Sequence, residues 1–130
     1  MEKFYINVKS DVRRKKEFEK NNKYILNKNH IFKRFCAITP KNEKVRNLKS
    51  NLLPLERSIF LSHYELLKQQ LKSNSHLWVC EDDTYLDKHT FNSLNKTNID
   101  AYDWDIIFTD VGIGDISNML FLFDYKKKNL

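Results

Sequence analysis

Short apolar runs alternate with charged, amphipathic stretches along this 130-residue chain, and the alternation predicts strands interleaved with helices. Residues 3–8, KFYINV, alternate loosely and are rich in strand formers. Asp11 follows as a helix N-cap, ahead of a charged helix over residues 12–21. Residues 34–38, RFCAI, predict a second short strand, closed by Thr39 and Pro40. Residues 41–51 are polar and basic and read as a loop.

Pro54 opens the clearest helix, which extends to about residue 73, and proline suits a first turn. At ~100° per residue, Leu55, Ile59, Phe60, His63, Tyr64, Leu66, Leu67 and Leu71 share one broad face. Ser58, Glu65, Lys68, Gln69 and Lys72 fall opposite. The apolar face is expected against the sheet, with His63 buried in it as a structural histidine. Residues 77–80, LWVC, form a strand-length apolar run that stops at Glu81, Asp82 and Asp83. A short helix is expected around residues 89–94. Residues 104–111, WDIIFTDV, predict a last strand, with its core at 105–109, ahead of Gly112 and Gly114. Residues 116–130 are apolar and then basic, and their pattern favours neither state.

Strands that alternate with helices imply one α/β domain over residues 1–130, layered around a mostly parallel sheet. Ligands of such sheets bind at the carboxyl ends of the strands, where Glu81, Asp82 and Asp83 fall.

Hydrophobic residues at 41% and aromatics at 13% argue against disorder. No run approaches the ~18 apolar residues of a membrane span, and the first residues do not read as a secretory signal. Cys36 and Cys80 each lie in an apolar stretch and read as two buried thiols of a reducing compartment, hence a cytoplasmic location. Residues 1–50 hold 15 Lys and Arg against 5 Asp and Glu, whereas residues 51–125 hold 5 against 12. The acid-rich second half does not suit a nucleic-acid groove, so no nucleic-acid partner is expected. The basic half, with Lys126, Lys127 and Lys128, is expected to favour peripheral contact with an anionic membrane surface.

Three consecutive carboxylates are unfavourable unless solvated, hydrogen-bonded or bridged by a cation. If the strand continued through Asp83, Glu81 and Asp83 would share one side and Asp82 the other. Glu81 and Asp83 could then hold Mn²⁺ or Mg²⁺, leaving positions for a diphosphate and water; the alternative is a solvated acidic turn. Arg13 and Arg14, just after the first strand, could fork onto a phosphate or simply begin a solvated basic helix. Asp110 could face the same cleft or cap the turn before Gly112. Ser62 and His63 are adjacent on a helix and do not face each other, so they are not a nucleophile pair. His30, His76 and His89 have no metal-ligand spacing.

In their order and approximate spacing, these features resemble glycosyltransferase family 25, which builds lipopolysaccharide outer-core sugars. Ile6-Asn7-Val8 resembles that family's opening strand, followed by Arg13-Arg14. Phe35-Cys36-Ala37 resembles its second strand, and Glu56 with Ser62-His63 its Gly-Glu…Ser-His helix. Residues 77–83, LWVCEDD, resemble its strand ending in Glu-Asp-Asp. Leu55 and Ser58 stand where the family often has glycine, Ile59 where it often has cysteine, and Thr84 where it has an aliphatic residue. The resemblance implies a GT-A-like, Rossmann-like three-layer domain, incomplete because the family's second half has no counterpart. It further implies a nucleotide-diphosphate sugar donor (galactose or similar), a lipooligosaccharide or other lipid-linked saccharide acceptor, and an inverting displacement. The charge split, not the resemblance, is what suggests peripheral contact at the inner membrane. Glu81 and Asp83 would be metal ligands, with Arg13, Arg14, Asp82 and Asp110 around the nucleotide sugar. With no counterpart for the acceptor half, binding without transfer is expected, as for a truncated, non-catalytic module.

Overall fold

The computed structural model describes residues 1–26, 31–73, 75–101 and 103–108. Two compact units divide the chain, Met1–Thr97 and Asn98–Leu130.

In the first unit, β1 (Glu2–Asn7), β2 (Lys33–Cys36) and β3 (Leu77–Glu81) form one parallel sheet in the order β2-β1-β3. Tyr5 sits beside Arg34 on one neighbour and Cys80 on the other; Ile6 sits beside Phe35 and Glu81. Parallel strands need crossovers, and the helices supply them on both faces. The fold is therefore α/β and three-layered, as the alternation of patterns predicts.

On one face lie α1 (Val12–Asn21) and α4 (Lys88–Lys96). Asp11 caps α1 as expected, its Oδ1 accepting from the Arg14 amide at 2.9 Å. Only Phe18 of this charged helix is buried, and it stacks on Tyr5 at 4.3 Å. Ile25, Phe32, Cys80, Leu86 and Phe91 complete this core, with Trp78 stacked on Phe91 at 5.3 Å. Most of the core is aromatic because a lone apolar residue on a charged helix must cover much area.

The other face carries α2 (Glu43–Asn47) and α3 (Pro54–Gln70). Residues 43–47, expected as loop, form a helical turn because Asn42 caps it, its side chain accepting from the Lys44 amide at 2.9 Å. Pro54 opens α3 as expected, and Glu56 reaches back to accept from the Leu53 amide at 2.7 Å.

The face that α3 buries differs from the one its hydrophobic pattern predicts. Ser58, Leu61, Ser62, Leu66 and Gln70 are buried, while Leu55, Ile59, Phe60, Tyr64, Leu67 and Leu71 are exposed. Serines let the helix approach closely, and their hydroxyls are satisfied locally: Ser58 donates to Leu55 O and Ser62 to Ser58 O, both at 2.7 Å. Ser62 Oγ also accepts from the Ile38 amide at 2.9 Å, which ties α3 to the chain leaving β2.

His63, expected to be buried, is 39% exposed at its side chain because the buried face is centred on the serines instead. Cys36 is likewise exposed, whereas Cys80 is buried; both are free thiols. Burial, and then the neighbouring Glu81 charge, push the Cys80 thiol up to about 12. No helix among the described residues is long and apolar enough to cross a membrane.

Within the second unit a 3₁₀ turn spans Ile99–Ala101, and Trp104 Nε1 donates to Ile99 O at 2.8 Å. Residues 104–108, expected to begin the last strand, are not strand; residues 109–111 of that expectation lie outside the described residues.

Candidate functional site

The order β2-β1-β3 places the chain's reversal of direction between β1 and β3. From β1 the first crossover runs to one neighbour and the later one to the opposite neighbour, so the carboxyl ends of β1 and β3 flank a topological switch point. Loops diverge there, and open α/β sheets bind ligands in the resulting crevice. Asn7 ends β1 and Glu81 ends β3.

Asn7 is the hub of this edge, with 1% of its surface exposed. Its Nδ2 donates to Asp82 Oδ2 at 2.5 Å and to Asp11 O at 3.3 Å. Its Oδ1 accepts from Arg34 Nε at 2.9 Å and from Arg34 Nη2 at 2.5 Å. Arg34 Nη2 also donates to the carbonyls of Val8 and Lys9, fixing the turn between β1 and α1.

The acidic run divides in a way strict alternation does not predict. The strand stops at Glu81, and a turn in which the Thr84 amide donates to Glu81 O at 3.1 Å bends Asp82 and Asp83 the same way. Arg14 Nη2, reaching from the first turn of α1, lies 2.5 Å from Asp82 Oδ1 and 3.0 Å from Asp83 Oδ2. Asp82 is only 9% exposed at its side chain, while Asp83 is 69% exposed. Glu81 points to the opposite face, where its Oε1 lies 3.3 Å from His63 Nε2.

Downstream, Asn22 holds the turn from below. Its Nδ2 donates to Phe18 O at 2.9 Å and Thr84 O at 3.0 Å, and its Oδ1 accepts from the Leu86 amide at 2.7 Å. One buried asparagine thus binds the end of α1 to the segment leaving the acidic turn.

Of the residues named from sequence, Arg14, Asp82 and Asp83 are brought together. Arg13 is directed elsewhere, forming a surface pair with Glu17 at 2.8 Å. Glu81 and Asp83, the pair expected to share a cation, diverge because the turn begins between them. Asp110 lies outside the described residues. Among the described residues no three His, Cys, Asp or Glu side chains are gathered as a metal cluster. The donor set that converges is Asp82 and Asp83, two hard carboxylate oxygens directed at one cationic atom of Arg14. Such oxygens suit Mg²⁺ or Mn²⁺ chemically.

Asn7, Arg34 and Asn22 are the positioning residues that pattern reading misses. Asn7 carried one usable signal, a polar residue ending an otherwise apolar strand beside a charged turn. Asn22 carried none, standing among several asparagines. No family model, curated protein or solved structure matches the chain.

Proposed function

We propose that this chain binds a nucleotide-diphosphate sugar at the crevice between β1 and β3, as the donor-binding part of a GT-A-type glycosyltransferase. The acceptor in this proposal is a saccharide or lipid-linked saccharide of the lipopolysaccharide kind. The observation that supports it is the meeting of Arg14, Asp82 and Asp83, held by Asn7, at the switch point of a parallel sheet. In this reading Arg14 would fork onto a phosphate. The exposed Asp83 carboxylate would hold Mn²⁺ or Mg²⁺, and Asp82 Oδ1 would join it once Arg14 turned from the carboxylates to a phosphate. A cation bound there would offset the charge of the diphosphate.

A second reading, a non-catalytic module that takes a nucleotide or a partner without transfer, is favoured by one contact. Arg14 already occupies the carboxylate oxygens that a cation would need, so the turn is held together without a metal.

Calorimetry with a panel of nucleotide-diphosphate sugars, with and without Mn²⁺, separates the two. Metal-dependent binding that Asp83→Asn abolishes supports the donor site. Equal affinity with and without metal supports the module. No binding of any nucleotide sugar under either condition rejects the donor site and leaves only a module that takes a partner. Transfer to an acceptor by the 130-residue chain would show that it also holds the catalytic base.

A further inference from the structure

We propose that the outward face of α3 is a docking surface for an anionic lipid bilayer. Phe60, Tyr64, Leu67 and Leu71 follow one another at steps of four, three and four residues. That spacing keeps them within about 60° on the helix, roughly opposite Ser58, Ser62 and Leu66. All four are exposed, Leu71 to 85%, and Phe60 and Tyr64 stack at 6.1 Å with their planes 15° apart. Four large apolar side chains aligned on a solvent face form a contiguous patch, unlike scattered surface hydrophobics.

The border of the stripe on the α2 side is basic, while the opposite border carries Glu56 and His63, the latter against Glu81 at 3.3 Å. Arg57 Nη1 donates to Val45 O at 3.2 Å and Leu48 O at 2.9 Å, fixing α2 alongside α3. The α2 segment brings exposed Lys41, Lys44, Arg46 and Lys49, and α3 and its end bring Lys68 and Lys72. Residues 41–72 contain seven Lys and Arg against three Asp and Glu. Glu65 and Lys44 pair at 2.6 Å and cancel, leaving six against two, and Glu56 accepts from the Leu53 amide. Exposed Leu52 and Leu53 extend the apolar surface at the start of α3.

An aromatic and leucine stripe edged on one side by lysine and arginine suits the interface of a bilayer. Its apolar side chains enter the acyl boundary while the long basic ones keep their charges among the phosphates. Charge decides against a second copy as the occupant. A second copy carries the same excess of positive charge beside its stripe, whereas an anionic headgroup layer complements the exposed Lys41, Arg46, Lys49, Lys68 and Lys72. The proposal goes beyond the donor site and uses none of Asn7, Arg14, Asp82 or Asp83.

Flotation of the 130-residue chain with equimolar phosphatidylglycerol–phosphatidylcholine vesicles, compared with pure phosphatidylcholine vesicles, tests it. The chain should float with the anionic vesicles, poorly with the neutral ones, and less as salt is raised. Phe60→Ser combined with Leu67→Ser should cut the bound fraction at least about tenfold at unchanged circular dichroism, because both side chains are exposed. Lys49→Glu combined with Lys68→Glu should weaken anionic binding without affecting nucleotide-sugar calorimetry. No flotation, equal flotation with both vesicles, or an unaffected serine variant would overturn the proposal. So would a dimer in sedimentation equilibrium that the serine variant dissociates, since the stripe would then belong to a second copy.

Discussion

Asn7 donates to the Asp82 carboxylate from the middle strand of the sheet, linking the two strand ends that flank the switch point. A carboxylate so little exposed needs partners for both oxygens, and Asn7 and Arg14 take one each. Asn7 is also neutral with two functions, so it can donate to Asp82 while accepting from Arg34. Leucine, of similar size, can do neither.

Asn7→Leu should therefore cost about 3 kcal/mol, since it leaves a buried acceptor and a buried donor short of partners. Asn7→Asp should also destabilise, because it sets a second charge against Asp82. Urea denaturation of both variants checks this. A loss below about 1 kcal/mol for Asn7→Leu would mean that water satisfies these groups.

The two aspartates of the turn should respond differently to substitution. Asp82→Ala removes the buried partner of Asn7 and Arg14 and should destabilise the fold by about 3 kcal/mol. Asp83→Asn breaks only the exposed arm of the Arg14 contact and should change stability by less than about 1 kcal/mol. Nucleotide-sugar binding should fall in both. Thermal melts beside calorimetry distinguish the residue that builds the turn from the one that offers itself to a ligand. Equal melting temperatures for the two variants would remove that distinction.

The three strands of the sheet, the Asp11 cap and the Pro54 start were legible because each is written within a few residues, whereas the apolar run at 104–108 is not strand. Glu81 was legible as a strand end, but not as a residue parted from Asp83, since a turn beginning one residue early reverses which side chains share a side. The face of α3 was misassigned for a different reason. Periodicity finds the largest apolar stripe and takes it for the buried one, whereas this helix buries a stripe containing Ser58 and Ser62 and exposes Phe60, Tyr64 and Leu67. His63 went with it: a residue assigned to the core borders the acidic turn through Glu81. Asn7 and Asn22 act through contacts with distant parts of the chain, which no local window contains.

Ser62 offers a direct check on that face. Its hydroxyl donates to Ser58 O and accepts from the Ile38 amide, with 1% of the residue exposed. Ser62→Ala should cost about 1 kcal/mol through the Ile38 amide left without its acceptor. Ser62→Leu, which apolar periodicity alone would allow, should cost about 3 kcal/mol by forcing α3 away from the sheet. Leu67→Ser, on the exposed side, should stay within about 0.5 kcal/mol of the parent. If Leu67→Ser proved the most damaging of the three in urea titrations, the face assignment would have to be reversed.

Alkaline pH should loosen the aromatic core before it affects the α3 face. Tyr5 is pushed up to about 12 from 10.0, by burial first and then by the Glu19 carboxylate, to which its hydroxyl donates at 3.3 Å. Cys80, in the same core, is raised from 9.0 to about 12, again by burial first and then by the Glu81 charge. A raised folded-state pKa means that the neutral form is favoured by folding. The stability it represents is fully present below the unfolded-state value and is lost as pH climbs towards the folded one. For these two groups the window runs from about 9 to about 12. Near pH 11 the combined loss should be on the order of 4 kcal/mol. Urea midpoints measured across this range should fall steeply for the parent and less for Tyr5→Phe and Cys80→Ala. Tyrosinate absorbance should appear for Tyr5 only as the fold opens. A parent and a double variant that lose stability in parallel would place the alkaline transition outside this core.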